Sequence, residues 1–580
     1  MTTHIFTPFI NEVGGVSVKR FFLMVIMVLL AMTMQGQESY AVLSGTKLTF
    51  YHDNLKDSRS GTVYDLSHDS EGLPRWYGKR SSIKTVNFDP SFSDARPTDG
   101  RFWFYEMTKI TSISHLEYLN TSEMTTMIGM FENCTALTSL DLSHFNTEKV
   151  ESMFGMFNEC KKLTSLDLSS FHTPMLTDMR WMFYQCSQLQ SVNLSSFNTS
   201  KVESMFNMFY GCSSLTTLDI NHFDTSQLVN INGMFYGCSS LKSLDLNTWT
   251  TPLLANNGWA FFKCENLESL DVSNMNTSKV KNMRNVFAWC RKLKKLDVSK
   301  WDTSCANDMS SMFYFCESLT ELDVSHWNTN EVVLMESTFA GCKSLKTLDV
   351  SHFDTSKVTS MHRMFGGCQQ LTQLDVSNFE TGLVTDMNLM FNACSGVPSL
   401  DVSHWDTSNV SMMQSVFQNC TGLHSLDFSS WDISKASTNN MLQGCSRIDT
   451  LTLSSSMAAI DTTACMGVGS LAKPCTVMAP DDFDFGTATD STYYFKWCKG
   501  IFRLPNSCQL GDVNVDGIIS LEDVMETVSH ILGMQVYNFH SGFADVDENG
   551  EITIVDVIMI VNLFLENPGE ADAEIVIDDD

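Results

Sequence analysis

Between residues 113 and 446 apolar and polar positions recur with a period of 26 residues. Each copy opens with a Met-rich stretch such as Val150 to Phe157 (VESMFGMF), whose apolar residues fall three and four apart. That spacing predicts a short helix or helical turn. Next comes Leu-x-x-Leu-Asp-[Leu/Val]-Ser, as in Leu163, Leu166, Asp167, Leu168 and Ser169, an alternation that predicts a short half-buried strand. An aromatic residue (Phe145, Phe171, Trp301, Trp327 and their equivalents) closes the unit, with Met275 in its place once. The Thr two residues further on is expected to cap the next helical turn. Cysteine holds the register: Cys134, Cys160, Cys186, Cys212, Cys238, Cys264, Cys290, Cys316, Cys342, Cys368, Cys394 and Cys420 stand 26 apart, and Cys445 follows after 25. A register kept over so many copies belongs to one supersecondary unit stacked on itself, a solenoid.

The expected fold is an α/β leucine-rich-repeat solenoid, with a parallel sheet on one face and short helical turns on the other. Twelve to thirteen strands at about 4.8 Å would span roughly 55–60 Å. Outward on those strands runs a column of Asp141, Asp167, Asp219, Asp245, Asp271, Asp297, Asp323, Asp349, Asp375, Asp401 and Asp427, interrupted by Asn193. Two readings stay open for it. One is solubility and hydrogen bonding between neighbouring coils; the other is a docking face for a cationic or repetitive ligand, with calcium bridging carboxylates. Trp181, Trp259 and Trp289 depart from the regular aromatic column and favour recognition. Solenoids need their open ends covered. Residues 38–112, with strand-like stretches and the aromatic run Phe102 to Tyr105, are placed to do so at one end, and residues 447–508 at the other.

Charge narrows the partners. A formal net charge of −30 excludes nucleic acid, whose phosphates need basic patches. Lys19 and Arg20 precede a fourteen-residue, largely apolar run, Phe21 to Met34, which suits a secretory signal peptide over residues 1–36 and is short for a membrane span. The mature chain is therefore expected to carry no transmembrane span and to be secreted or held at a bacterial cell surface. Export makes disulfides plausible, yet the ladder cysteines sit among Met, Phe and Leu and read as a column of unpaired buried thiols. Cys465, Cys475, Cys498 and Cys508 are the better disulfide candidates, in unknown connectivity. No nucleophile, base and orienting group appear outside repeat register, so an enzyme is not expected.

The most specific chemistry lies at the end of the chain. Asp512, Asn514, Asp516, Gly517, Ser520 and Asp523 are repeated 33 residues later as Asp545, Asp547, Asn549, Gly550, Thr553 and Asp556. Oxygen ligands at alternate positions, a glycine for the sharp turn and a twelfth-position carboxylate suit a hard, flexibly coordinated cation. The carbonyls of Ile518 and Glu551 would supply the seventh-position ligands, giving two Ca2+ sites. Residues 509–567 resemble the type I dockerin, which implies a small all-α module, calcium-dependent folding and docking to a cohesin-like partner. In that family the residues opening each helix carry partner choice; here they are Leu521-Glu522 and Ile554-Val555. Residues 568–580 form an acidic tail.

Residues 38–445 resemble the BspA-like leucine-rich-repeat surface proteins of bacteria. The resemblance rests on Thr46 to Tyr51, on Phe88-Asp89-Pro90-Ser91-Phe92 and on the repeat M-F-x-x-C-x-x-L-x-x-L-D-[LV]-S-x-[FW]-[DN]-T. It implies a non-catalytic surface protein, with adhesion to host matrix or other cells in some members. The expected function is adhesion, or binding of a host matrix protein, glycan or other cell-surface ligand, with calcium-dependent docking to a cohesin-like protein. The alternative is a solenoid that is only a structural spacer, the dockerin alone carrying specific binding in a multi-protein assembly.

Overall fold

The computed structural model describes residues 36–461, 463–469, 475–480, 502–503, 513, 519, 521–534, 544, 546 and 551–566. Its contacts divide the chain into two units, one up to Lys201 and one from Val202 onward. The signal-peptide segment up to residue 35 and the acidic tail lie outside the described residues.

In the first unit, β1 (Glu38–Ser44) and β2 (Lys47–Asp53) form an antiparallel hairpin about Gly45, whose φ of 62° suits a two-residue turn. Strand β3 (Thr62–Asp65) joins the outer edge of β1, while β4 (Thr85–Phe88) and β5 (Ile113–Ser114) continue from β2 in parallel. The sheet thus changes from antiparallel to the parallel pairing of the repeats. Phe50 lies at the centre of this cap, 4.6 Å from Phe88 and 5.3 Å from both Trp76 and Trp103, ring centre to ring centre. Phe104 then stacks on Phe131 at 5.2 Å, and Phe131 on Phe157 at 5.6 Å. Phe104 thus supplies the first ring of the Phe column.

The Met-rich segments are turns rather than helices. In each coil, alternate amides leave the coil altogether: Met127, Gly129, Phe131 and Asn133 donate to the carbonyls of Ser152, Phe154, Met156 and Asn158 in the next one. The amides between them close tight turns three residues back, as Met130 to Met127 and Glu132 to Gly129. A helix would keep every amide within the segment. Two residues per coil, five and one before the cysteine, sit in the left-handed region to permit this, with φ of 55° at Gly129 and 57° at Asn133. The second unit repeats it, with Asn285 at 58° and Trp289 at 65°. These turns carry parallel bridges from coil to coil, Thr126 to Ser152 to Asp178 in the first unit and Ser204 through Ser437 in the second.

The strand face is thinner than expected. Regular three-residue strands pair in the first unit only as β6 (Ser165–Asp167) with β7 (Ser191–Asn193). The second unit has β8 (Ser243–Asp245) with β9 (Ser269–Asp271), then β10 (Ser425–Asp427), β11 (Thr450–Thr452), β12 (Cys475–Met478) and β13 (Phe502–Arg503), all parallel. Elsewhere the same stretch makes single bridges, such as Ser269 to Lys295, or none among the described residues. The outward aspartate keeps every copy of this stretch short, whether or not it pairs as a regular strand. Asp323 Oδ1 accepts from the amide of Ser325 at 3.0 Å, and the other copies do likewise, a turn that ends the strand after three residues.

Two further columns bind coil to coil. The conserved-register Thr is no helix cap: Thr303 is buried, donates to the carbonyl of Asn328 (2.8 Å) and accepts its amide (2.9 Å). Within each unit ladder thiols donate to the Phe carbonyl of the preceding coil, as Cys160 to Phe131 (3.1 Å) and Cys290 to Phe261 (3.2 Å). These thiols are buried and unpaired from Cys134 to Cys186 and from Cys238 to Cys445. Burial pushes Cys186, Cys290, Cys368 and Cys445 up to about 12, so the reactive thiolate is scarce. Cys305 is the exposed exception. Alkylation of the native chain with iodoacetamide, read by peptide mass spectrometry, should label Cys305 and spare the ladder until denaturant is added. Labelling of ladder peptides in buffer would mean that coils open.

Glu132, two before its cysteine, is half-buried, and burial pushes its carboxyl up to about 7, with Glu159 and Glu106 adding repulsion. Asn158 Nδ2 donates to it at 3.0 Å, while Asn158 Oδ1 is buried without a partner. A folded-state value above the ordinary carboxylate range means that stability is fullest at low pH and is lost as pH rises through about 7. In the second unit the same column reads Asn392, Gln418 and Gln443, joined amide to amide. Glu132→Gln would copy that ladder and offer Asn158 Oδ1 a donor. It should raise the unfolding free energy at pH 8 by about 1–2 kcal/mol and flatten the first unit's pH dependence between 5 and 7. An unchanged pH profile would contradict this.

Candidate functional site

The C-terminal module is built from α1 (Leu521–Ile531) and α2 (Ile554–Glu566), which pack around Val513, Ile519, Val524, Ala544, Val546, Val557 and Ile560. Corresponding residues lie 33 apart, as Val513 with Val546 and Val524 with Val557, so the sequence duplication is also a duplication of core positions. Both twelfth-position carboxylates are fully buried. Asp523 Oδ1 accepts from the amide of Val513 at 2.8 Å, and Asp556 Oδ1 from that of Val546 at 2.9 Å. Asp556 Oδ2 also accepts from the amide and hydroxyl of Thr553. Each carboxylate therefore turns back from its helix onto the start of its own loop.

That geometry fits a cation. A carboxylate is not taken into an apolar core without strong compensation, and the surrounding donors in sequence are the hard oxygens that suit calcium. Asp523, Glu551, Thr553 and Asp556 are described; Asp512, Asn514, Asp516, Ile518, Ser520, Asp545, Asp547 and Asn549 lie outside the described residues. Opposite the core, each helix presents a matching apolar pair. Leu521 and Ile554 are 61% and 62% exposed, Met525 and Ile558 63% and 56%. Of the predicted selector positions, Leu521, Ile554 and Val555 are thus on the surface, and sequence reasoning missed Met525 and Ile558, one turn further along; their 33-residue spacing was the available signal.

On the strand face of the second unit a groove of about 1100 Å³ is lined by Asp245, Asp271, Asp297, Asp323 and Asp349, with Lys294 and Lys295. The lysines pair with Glu268 (3.8 Å) and Glu321 (2.8 Å). The aspartates hydrogen-bond within their own coils, rather than to neighbouring coils as one expectation had it. The hydroxyl and amide of the following serine hold Asp323 and Asp349 below the usual carboxylate range. Among the described residues no three His, Cys, Asp or Glu side chains come together as a metal site. Cys465 and Cys475 are buried; Cys498 and Cys508 lie outside the described residues. Among the described residues no helix is long and apolar enough to cross a membrane.

Trp181, Trp259 and Trp289 all fall at left-handed positions of the turn face, with φ of 60°, 55° and 65°, and are half-buried. Sequence reasoning singled them out without seeing that glycine or asparagine fills the same columns elsewhere, as at Gly129, Gly155 and Asn133.

Stacked parallel coils followed by a duplicated two-helix module define a leucine-rich-repeat protein with a dockerin-like end. The chain belongs to the family described as Mycoplasma protein of unknown function, DUF285, whose profile matches residues 98–192, 164–268, 255–349 and 334–455, together more than half the chain. The dockerin type I domain profile matches residues 510–567. Together these bear out the BspA-like repeat architecture with a C-terminal dockerin. Similar solved structures include a leucine-rich repeat protein from Bacteroides ovatus (17% identity, TM-score 0.39, covering 61% of this chain and 87% of that one). A leucine-rich cell surface protein from Faecalibacterium prausnitzii is 14% identical (TM-score 0.34, 67% and 92%). The functional domain of InlJ from Listeria monocytogenes, described as including a cysteine ladder, is 17% identical (TM-score 0.22, 67% and 66%). A search of curated proteins gave no match.

Proposed function

We propose that this is an exported, non-catalytic surface protein whose repeats bind a protein or glycan and whose C-terminal module docks, with calcium bound at two sites, to a cohesin-like partner. The observation that carries the docking half is the pairing of buried carboxylates with exposed apolar residues at equivalent places in two copies: Asp523 and Asp556 inside, Leu521, Met525, Ile554 and Ile558 outside. Twelve residues would hold the two calcium ions through oxygen: Asp512, Asn514, Asp516, Ile518, Ser520 and Asp523, then Asp545, Asp547, Asn549, Glu551, Thr553 and Asp556. Calcium there supplies charge neutralisation and loop closure; the helices themselves supply the docking face. The domain plan supported by these features is a signal peptide over 1–36, caps at 38–112 and 447–508 around repeats at 113–446, the dockerin at 509–567 and a tail at 568–580.

The test is capture of cohesin-like proteins and of host-matrix material by the full chain, with calcium and with EDTA. Partner capture that needs calcium and is lost in Met525→Asp with Ile558→Asp supports docking through this face. Capture that ignores both changes would refute it. Matrix capture that persists in EDTA assigns the adhesive contact to the repeats. A spacer role gains support from the aspartates of the strand face, since each is already engaged in its own turn. If EDTA abolishes all capture, the spacer reading stands.

A further inference from the structure

We propose that the turn face of the second unit carries a binding site for an anionic glycan, formed by Trp289, Arg291, Tyr314, Phe315 and Arg363 over the backbone of Gly341. This names a ligand class for the repeats and rests on the reading that they bind at all. In most coils the left-handed position before the cysteine holds Gly, Asn or another non-aromatic residue; here two successive coils place Trp289 and Phe315 there. Their rings lie 4.7 Å apart, and Tyr314 is 5.9 Å from Trp289. Phe315 rests on Gly341: a Cβ at that glycine would come within 2.8 Å of the ring. Gly367 in the following coil adds no side chain above it, its own Cβ position being 3.5 Å from Gly341 Cα. The rings therefore border a shallow strip floored by bare backbone.

Two guanidiniums flank the rings. Arg291 lies 4.5 Å from the Trp289 ring centre and 5.7 Å from that of Phe315. Arg363 lies 5.7 Å from Tyr314 and 5.9 Å from Phe315. Arg291 bonds Glu317 at 3.1 Å through one terminal nitrogen, and its Nε is buried with no partner. Among the described residues Arg363 has no carboxylate within 4 Å; its contact is the Tyr314 hydroxyl at 3.4 Å. In a chain of net charge −30, an arginine left on aromatic rings without a carboxylate is open to an anion from outside. Guanidinium binds carboxylate or sulfate in a planar fork, and the partly exposed rings beneath the two guanidiniums add apolar surface beside them against which a sugar's C–H groups can rest. An acidic peptide would use the arginines but has no such flat face for the rings, so a uronate- or sulfate-bearing glycan is the better match.

The test is titration calorimetry on the full chain in EDTA at 50 mM salt. The probes are hexagalacturonate, a heparin hexasaccharide, a neutral dextran oligosaccharide and polyglutamate. The expected result is binding of one or both acidic glycans and of neither other probe, weakened at least tenfold by Arg363→Met and by Arg291→Met. Lys294→Met with Lys295→Met, on the strand face, should leave it unchanged. Arg363 makes one long protein hydrogen bond, so its variant should keep the wild-type melting midpoint. Absence of acidic-glycan binding, equal binding of polyglutamate, or indifference to both arginine changes would overturn the site. Matrix capture that survives such a failure would leave the broader repeat-binding reading standing.

Discussion

Chelating calcium from the full chain is expected to unfold α1 and α2 while the coils stay folded. Among the described residues the module's core is seven buried apolar side chains, several of them small, and a domain of this size is marginal without a metal or a crosslink. It also buries two carboxylates, a cost that grows if the charge they face is removed. Each bound calcium adds about 4 kcal/mol when free calcium is a thousand times the dissociation constant, and two such increments exceed what the core supplies. Hydrogen exchange read by mass spectrometry should therefore show α1 and α2 peptides losing protection in EDTA, with peptides from the coils unaffected. Asp556→Ala removes the group that receives the amides of Val546 and Thr553 and should reproduce most of the loss in saturating calcium, by about 3 kcal/mol or more. Undiminished protection of both helices in EDTA would defeat the calcium assignment of all twelve residues.

Much of this was legible because the period is a covalent fact. Cysteine spacing identified the solenoid, and the 33-residue duplication identified the two-fold C-terminal module, without any judgement about local conformation. What the sequence hid was where each coil spends its backbone hydrogen bonds. Apolar residues three and four apart look helical, yet the same spacing suits a chain that alternates inward turns with amides donated to the next coil. The marks of the second solution were the glycine and asparagine columns five and one before the cysteine. They were diluted by Trp181, Lys263 and Phe315, residues that rarely take positive φ. The cysteine looked like a small apolar filler; its contribution as a donor to the Phe carbonyl of the coil before appears only once two coils are laid together. The same holds for the threonine, whose hydroxyl serves the next coil and not a cap. Interactions 25 to 29 residues apart have no signature within one repeat.

Asn257→Met should be the most stabilising single change in the second unit. Residue 257 stands in the column that holds Met283, Met309 and Met335 in later coils, seven before the cysteine and fully buried. Asn257 is 1% exposed, and neither its Oδ1 nor its Nδ2 has a hydrogen-bond partner. A buried amide left unsatisfied costs about 1–3 kcal/mol, and a methionine there regains apolar burial of about 1–2 kcal/mol. The coil is weak for two more reasons. Ala260 replaces the larger methionine found four before the cysteine in most copies, and Thr251 is held at φ 43°, a region β-branched residues avoid. In a stacked array stability is a sum of coil and neighbour terms, so one poor coil decides where the array first comes apart. The variant should raise the urea midpoint with a gain of about 3 kcal/mol and sharpen the transition if that coil had been opening separately. Asn257→Ala separates the causes, since it removes the amide without filling its space and should recover only part of the gain. A loss of stability in Asn257→Met would show that the amide is answered by an internal water and that the coil has been shaped around it.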